Sequence, residues 1–250
     1  STSFVDVNVR WKDGTTPLMA AARTGNMDIV RFLVEHKADI HVQNDSLISP
    51  LLFAVYSQNM ELVEYLVKLG ANTTVCNLDG ANALIVAAEL GNLPLVRYFI
   101  DLGLNINLRT EYNEDALVCA CHSGNPDIVT LLLEKGAYST RTYNDKYTAL
   151  HVAAEAGHAP VLKVLLDNKA DIHAITTRGD HALTLAAGTG RVDCVRELLQ
   201  RGARINYQNK DGMNALMASA LYGYDEITSL LLESPEALLN AQDRYGHSAL

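Results

Sequence analysis

The sequence predicts an all-α solenoid of stacked helix-turn-helix units with β-hairpin loops. Three observations predict it. Leucine in the context (Thr/Ser/Asn/Asp/His)-(Pro/Ala)-Leu falls at Leu18, Leu51, Leu84, Leu117, Leu150, Leu183 and Leu216, each 33 residues after the last, and at Leu250 after 34. All 16 glycines except Gly188 keep that period in three phases, which marks three turns per unit. Between the turns lie two short segments with helical patterning, as at Val161, Leu162, Leu165 and Leu166, which share one helical face.

The elements of each unit follow in order. A hairpin comes first, with glycine four residues before the leucine, as at Gly14 and Gly80. The first helix is rich in small helix formers, and pairs such as Ala21-Ala22, Ala87-Ala88, Ala153-Ala154 and Ala186-Ala187 let neighbouring helices approach closely. A glycine turn follows. The second helix starts at or near Pro94, Pro126 and Pro160, where a missing N–H is tolerated. The resulting frame is a tail of a preceding repeat at 1–10, then repeats at 11–43, 44–76, 77–109, 110–142, 143–175, 176–208 and 209–242, and the opening of an eighth at 243–250. Both ends are expected to be cuts through a longer array. Repeat 2 departs from the pattern with Leu47 and Gln58 in glycine phases, and an extra residue near Ser234-Pro235 should lengthen one loop.

The pattern resembles the ankyrin-repeat family. The residues that carry the resemblance are Asp13-Gly14-Thr15-Thr16-Pro17-Leu18, Tyr147-Thr148-Ala149-Leu150-His151-Val152-Ala153-Ala154 and Arg201-Gly202-Ala203-Arg204-Ile205-Asn206. It covers essentially the whole chain. It implies a recognition fold whose histidine, present here only as His151, ties turn backbone between repeats.

Composition narrows the function. Lys and Arg total 20 against 29 Asp and Glu, a net charge of −9, which argues against a general nucleic-acid binder or a ligand of anionic membranes. Four cysteines are too few for a disulfide-stapled scaffold. Apolar runs such as Ala83 to Ala88 fall far short of the ~20 residues of a membrane span. An intracellular protein, cytoplasmic or nuclear, is expected.

Chemical motifs give way to the repeat. Cys119-Ala120-Cys121-His122 lacks the paired spacing of a zinc module, and Cys121 sits in the phase of Ala22, Ala88 and Ala154. Gly188-Thr189-Gly190 lacks the third glycine and preceding strand of a phosphate loop. The histidines scatter through different phases. No catalytic residue, metal ligand or cofactor is expected.

A surface remains. In the ankyrin family the hairpin tips and the ends of the first helices face the concave side. At those positions repeats 3 to 5 hold Asp79, Glu89, Glu111, Glu114, Asp145 and Glu155, with no Lys or Arg. Asp79 and Asp145 are discounted because Asp at that turn phase commonly bonds its own backbone. Tyr112 and Tyr147 lie among the acids, and Ile48, Tyr56, Leu78 and Leu90 form an adjoining apolar set. The expected partner-binding residues are therefore Ile48, Tyr56, Leu78, Glu89, Leu90, Glu111, Tyr112, Glu114, Tyr147 and Glu155. The expected function is non-catalytic recognition of a protein or peptide with a basic segment, with no nucleic acid and no membrane insertion. Two alternatives stand beside it: a regulatory array within a larger enzyme or channel, and a small-ligand sensor.

Overall fold

The computed structural model describes residues 6–249. Val5 and Leu250, which carry part of the first tail and the last leucine step, lie outside them. The chain divides into two compact units, 1–119 and 120–250. The first contains α1 (Pro17–Arg23), α2 (Met27–Glu35), α3 (Pro50–Tyr56), α4 (Met60–Lys68), α5 (Ala83–Glu89) and α6 (Leu93–Asp101). The division falls inside α7 (Ala116–Ser123). The second contains α8 (Pro126–Glu134), α9 (Ala149–Ala156), α10 (Ala159–Asp167), α11 (Ala182–Gly188), α12 (Val192–Gln200), α13 (Ala215–Leu221) and α14 (Asp225–Leu232).

Helices of seven to nine residues are marginal alone, so caps and packing must hold them. The polar residue that opens each leucine motif is the N-cap of the first helix of a pair. Ser49 Oγ accepts from the Leu52 N–H at 3.2 Å, Asn82 Oδ1 from Ile85 at 3.1 Å and Asn214 Oδ1 from Met217 at 2.9 Å. In the first four pairs the second helix is capped by Asn26, Asn59, Asn92 and Asn125. His158, Arg191 and Tyr224 take that phase later and make no cap bond. His158 Nε2 instead lies 3.0 Å from the His122 carbonyl, and Arg191 Nε donates to the Glu155 carbonyl at 3.0 Å.

The repeated leucines form the core. Leu18 and Leu84 in the first unit are fully buried, as are Ala22, Ala83, Ala87 and Ala88, and Leu150 and Leu183 in the second are 1% exposed. Each buried Leu is worth ~1.5–3 kcal/mol relative to exposure. First helices pack on their successors within each unit: α1 on α3, α3 on α5, α9 on α11, and α11 on α13. Outer helices are joined by equivalent ion pairs, Arg31–Glu61 at 3.2 Å and Arg196–Glu226 at 3.0 Å. Both pairs are exposed, so they contribute little.

The hairpins are turns rather than strands. The Asn77 N–H donates to the Ala81 carbonyl and the Gly80 N–H to the Asn77 carbonyl, both at 3.0 Å, and the same pair of bonds recurs in each hairpin. Among the described residues the one bridge with β geometry joins Thr142 and Thr148. The fourth hairpin residue is left-handed, at ease as Gly80 (φ 80°) and strained as Leu47 (φ 56°). In repeat 5 both Asp145 and Lys146 are left-handed, at φ 54° and 59°.

Candidate functional site

Hydrogen bonds string the hairpin tips of the first unit into a row. The Asp45 N–H donates to the Asp13 carbonyl at 3.0 Å, Leu78 to Ser46 at 3.1 Å and Glu111 to Asp79 at 2.7 Å. Three apolar side chains stand exposed along it: Leu47 (42% exposed), Leu78 (59%) and Tyr112 (59%). Asp45, Asp79 and Glu111 are exposed in the same row.

The discount applied to Asp79 does not hold. Asn77 Oδ1 accepts from the Asp79 and Ala81 N–H groups at 3.1 and 2.9 Å, so the first hairpin residue holds the turn and not the third. Asn44 and Asn209 do the same in their hairpins. Where that position is Trp11 the third residue takes over: Asp13 accepts from the Thr15 N–H at 3.1 Å and the Thr15 hydroxyl at 2.9 Å, which holds its carboxyl below the usual range. The Asp79 carboxylate therefore belongs with the acids of the surface.

Behind the tips lie the inner-helix ends. Tyr56, half-buried at the end of α3, accepts from Asn77 Nδ2 at 3.4 Å. Burial, with the charges of Glu89 and Asp79, pushes its phenol pKa up, which places those three residues in one neighbourhood. Glu89 is exposed, while Ile48, Leu90 and Glu114 are half-buried. The buried Cys119 thiol is pushed far above its usual range by desolvation first and then by Glu114, Glu89 and Asp115, so it is a poor nucleophile. Glu89 thus shares one neighbourhood with Tyr56 and another with Glu114.

Tyr147 and Glu155 fall in the second unit. Burial, followed by Glu155, Asp180 and Asp145 and opposed by Arg178, pushes the Tyr147 phenol up to about 12. Its ring centre is 5.6 Å from that of His151. Thr148 N–H donates to His151 Nδ1 at 3.1 Å, which leaves the proton on Nε2 to donate to the Ala174 carbonyl at 3.1 Å. His151 therefore ties the start of its helix to the loop at the end of its own repeat. Counting acids passes over another feature of this unit: Leu221 and Tyr222, each 63% exposed at the end of α13. They occupy the inner-face phases and carry no charge, so only exposure picks them out.

Among the described residues no group of three or more His, Cys, Asp or Glu is placed to hold a metal. Cys119 and Cys121 are buried. Thr189 donates its hydroxyl to the Leu185 carbonyl at 2.8 Å, so the Gly188-Thr189-Gly190 segment is the end of a helix and its turn. Among the described residues no helix is long and apolar enough to cross a membrane.

A family model described as ankyrin repeats (3 copies) matches residues 3–76, 51–143, 84–176 and 150–243. Comparison with curated proteins finds no match to the chain.

Proposed function

The chain belongs to the ankyrin-repeat family, and from that premise we propose that it recognises a partner segment on the face formed by hairpin tips and inner-helix ends. Ankyrin repeats are generally protein-interaction modules. The observation that carries the reading is the row of exposed Leu47, Leu78 and Tyr112 interleaved with Asp45, Asp79 and Glu111 in the first unit. A row of this kind fits an extended segment carrying apolar side chains and Lys or Arg. Ile48, Tyr56 and Leu90 supply apolar area beside it, and Glu89 and Glu114 add negative potential. Tyr147 and Glu155 offer the same chemistry in the second unit.

A strained residue supports the reading. Leucine in the left-handed region costs ~1–2 kcal/mol, where glycine would cost nothing. Leu47 holds that conformation while 42% exposed, so backbone preference does not account for it. Exposed charge pairs are worth only ~0.2–1 kcal/mol each. The acids therefore set encounter rate and partner choice, and the apolar row sets residence time.

Panning a random 12-residue peptide library against the chain, with counter-selection on Leu78→Asp, tests this. Peptides lost on the variant should pair Lys or Arg with an apolar residue. A Leu78-dependent pool with no basic bias would refute the reading.

A further inference from the structure

The hairpin tips of the second unit form a row of their own. The Lys210 N–H donates to the Arg178 carbonyl and the Arg244 N–H to the Asp211 carbonyl, both at 3.0 Å. The same bond strings Asp45, Leu78 and Glu111 to the tips before them in the first unit. Both rows step from repeat to repeat through one contact between equivalent residues, so both set their side chains at the same pitch.

The charges on the two rows are opposite. Asp45, Asp79 and Glu111 stand exposed on the first, in repeats 2, 3 and 4, whose tips carry no Lys or Arg. Arg178, Lys210 and Arg244 stand exposed on the second, in repeats 6 and 7 and the opening of repeat 8. The acids among these cations are engaged or buried. Asp211 is shared between Arg178 at 3.2 Å and Arg244 at 2.8 Å. Asp243 accepts from the Tyr245 and His247 N–H groups of its own hairpin at 2.8 and 2.9 Å, and Asp180 is buried. Three cations therefore face the solvent against one half-exposed carboxylate, and the second row stays positive. Apolar surface accompanies the charge on both. Leu78 and Tyr112 are exposed on the first row and Tyr245 on the second, where the Arg244 guanidinium lies 4.8 Å from its ring centre.

Pitch and charge together identify an occupant. An extended peptide matches the spacing of the tips only where its own sequence happens to place Lys and Arg so. A second row of hairpin tips matches it by construction, and this chain carries one of the opposite sign. We propose that the tip row of the first unit takes the tip row of the second unit of another copy of this chain. Arg178, Lys210 and Arg244 of one copy lie against Asp45, Asp79 and Glu111 of the other, with Leu78, Tyr112 and Tyr245 among them. The pairing rests on the first row being the recognition surface proposed above, and it names the partner. Each copy carries both rows, so the contact is self-complementary. Its ion pairs are exposed, so the association is weak and salt-sensitive.

Sedimentation velocity on the 250-residue chain at rising concentration tests this. The chain should associate at low salt and return to monomer at high salt. Lys210→Glu with Arg244→Glu should weaken the association about tenfold, as should Asp79→Lys with Glu111→Lys. An equimolar mixture of these two variants presents complementary rows again and should associate within about threefold of the parent. Circular dichroism melts establish that each variant is folded; if loss of Arg244 unfolds the end of the array, Arg178→Glu with Lys210→Glu carries the same comparison. A chain that stays monomeric throughout, association that both variants leave unchanged, or a mixture that does not recover would each overturn the pairing. Peptide panning reads the first row separately. Basic peptides selected on a monomeric chain leave the recognition surface standing without this partner, whereas a monomer that also selects no such peptides removes both.

Discussion

His181 stacks face to face on Tyr207, with ring centres 3.7 Å apart and planes 13° from parallel. His181 is the N-cap of α11 but makes no side-chain cap bond, unlike Asn82 and Asn214 in the same phase. The stack takes the place of the cap. It also buries an imidazole near His173, whose ring centre is 6.1 Å away, and within the fields of His151, Arg204 and Asp171.

That burial makes the second unit acid-sensitive. Desolvation first, then His173, His151 and Arg204, lowers the His181 pKa from its ordinary 6.5 to about 4, and Asp171 opposes the shift. The His151 pKa is also lowered, chiefly by burial. Both folded-state values are depressed, so between these limits the unfolded chain binds protons that the folded chain refuses. Their stabilisation is complete above pH 6.5 and is lost as pH falls toward 4; His181 accounts for up to about 3 kcal/mol of it, and His151 acts in the same direction. Chemical denaturation at pH 7 and pH 4.5 should show the loss. His181→Asn, which restores the capping residue, should flatten the slope whatever it does to stability at pH 7; an unchanged slope would remove His181 from the account.

Leu47→Gly separates strain from binding. Relief of the left-handed leucine should raise stability by about 0.5–1 kcal/mol, after the entropy that glycine adds to the unfolded chain. The same change should weaken peptides dependent on the tip row, because it deletes an exposed apolar side chain. Thermal melts and fluorescence anisotropy on one preparation read both effects.

Leu150→Ala reports on core continuity. Leu150 is 1% exposed, and a cavity at such a site costs ~2–5 kcal/mol. Urea denaturation followed by circular dichroism measures it. A loss below 1 kcal/mol would mean that the leucine phase does not mark the core.

Thiol chemistry should follow burial. Cys119, Cys121 and Cys194 are buried, and Cys76 is half-exposed. Desolvation pushes the Cys194 thiol up to about 11 and raises Cys76 by less. An aromatic disulfide reagent at pH 8 should therefore modify Cys76 alone in the native protein, and all four cysteines once it is unfolded.

The fold was legible because it repeats. Leu18 through Leu216 and the glycine phases each mark one structural position, and the polar residue two before each leucine is a helix cap that simple spacing reveals. The surface was less legible. Which hairpin residue holds the turn depends on its first position, so the role of Asp79 could not be read from that of Asp13. Exposure of Leu78 and Tyr112 against half-burial of Tyr56 and Glu114 depends on neighbouring repeats, which a single repeat's sequence does not encode.

If the tip row of the first unit binds its partner, its acids steer the encounter and its apolar side chains hold the complex. Stopped-flow association of a Leu78-dependent basic peptide, measured from low to high salt, tests it most directly. The on-rate should fall as salt rises. Glu111→Lys with Glu114→Lys should lower the low-salt rate about tenfold and flatten its salt dependence, and Tyr112→Ala should mainly speed dissociation. On-rates that ignore both salt and the double charge reversal would contradict it.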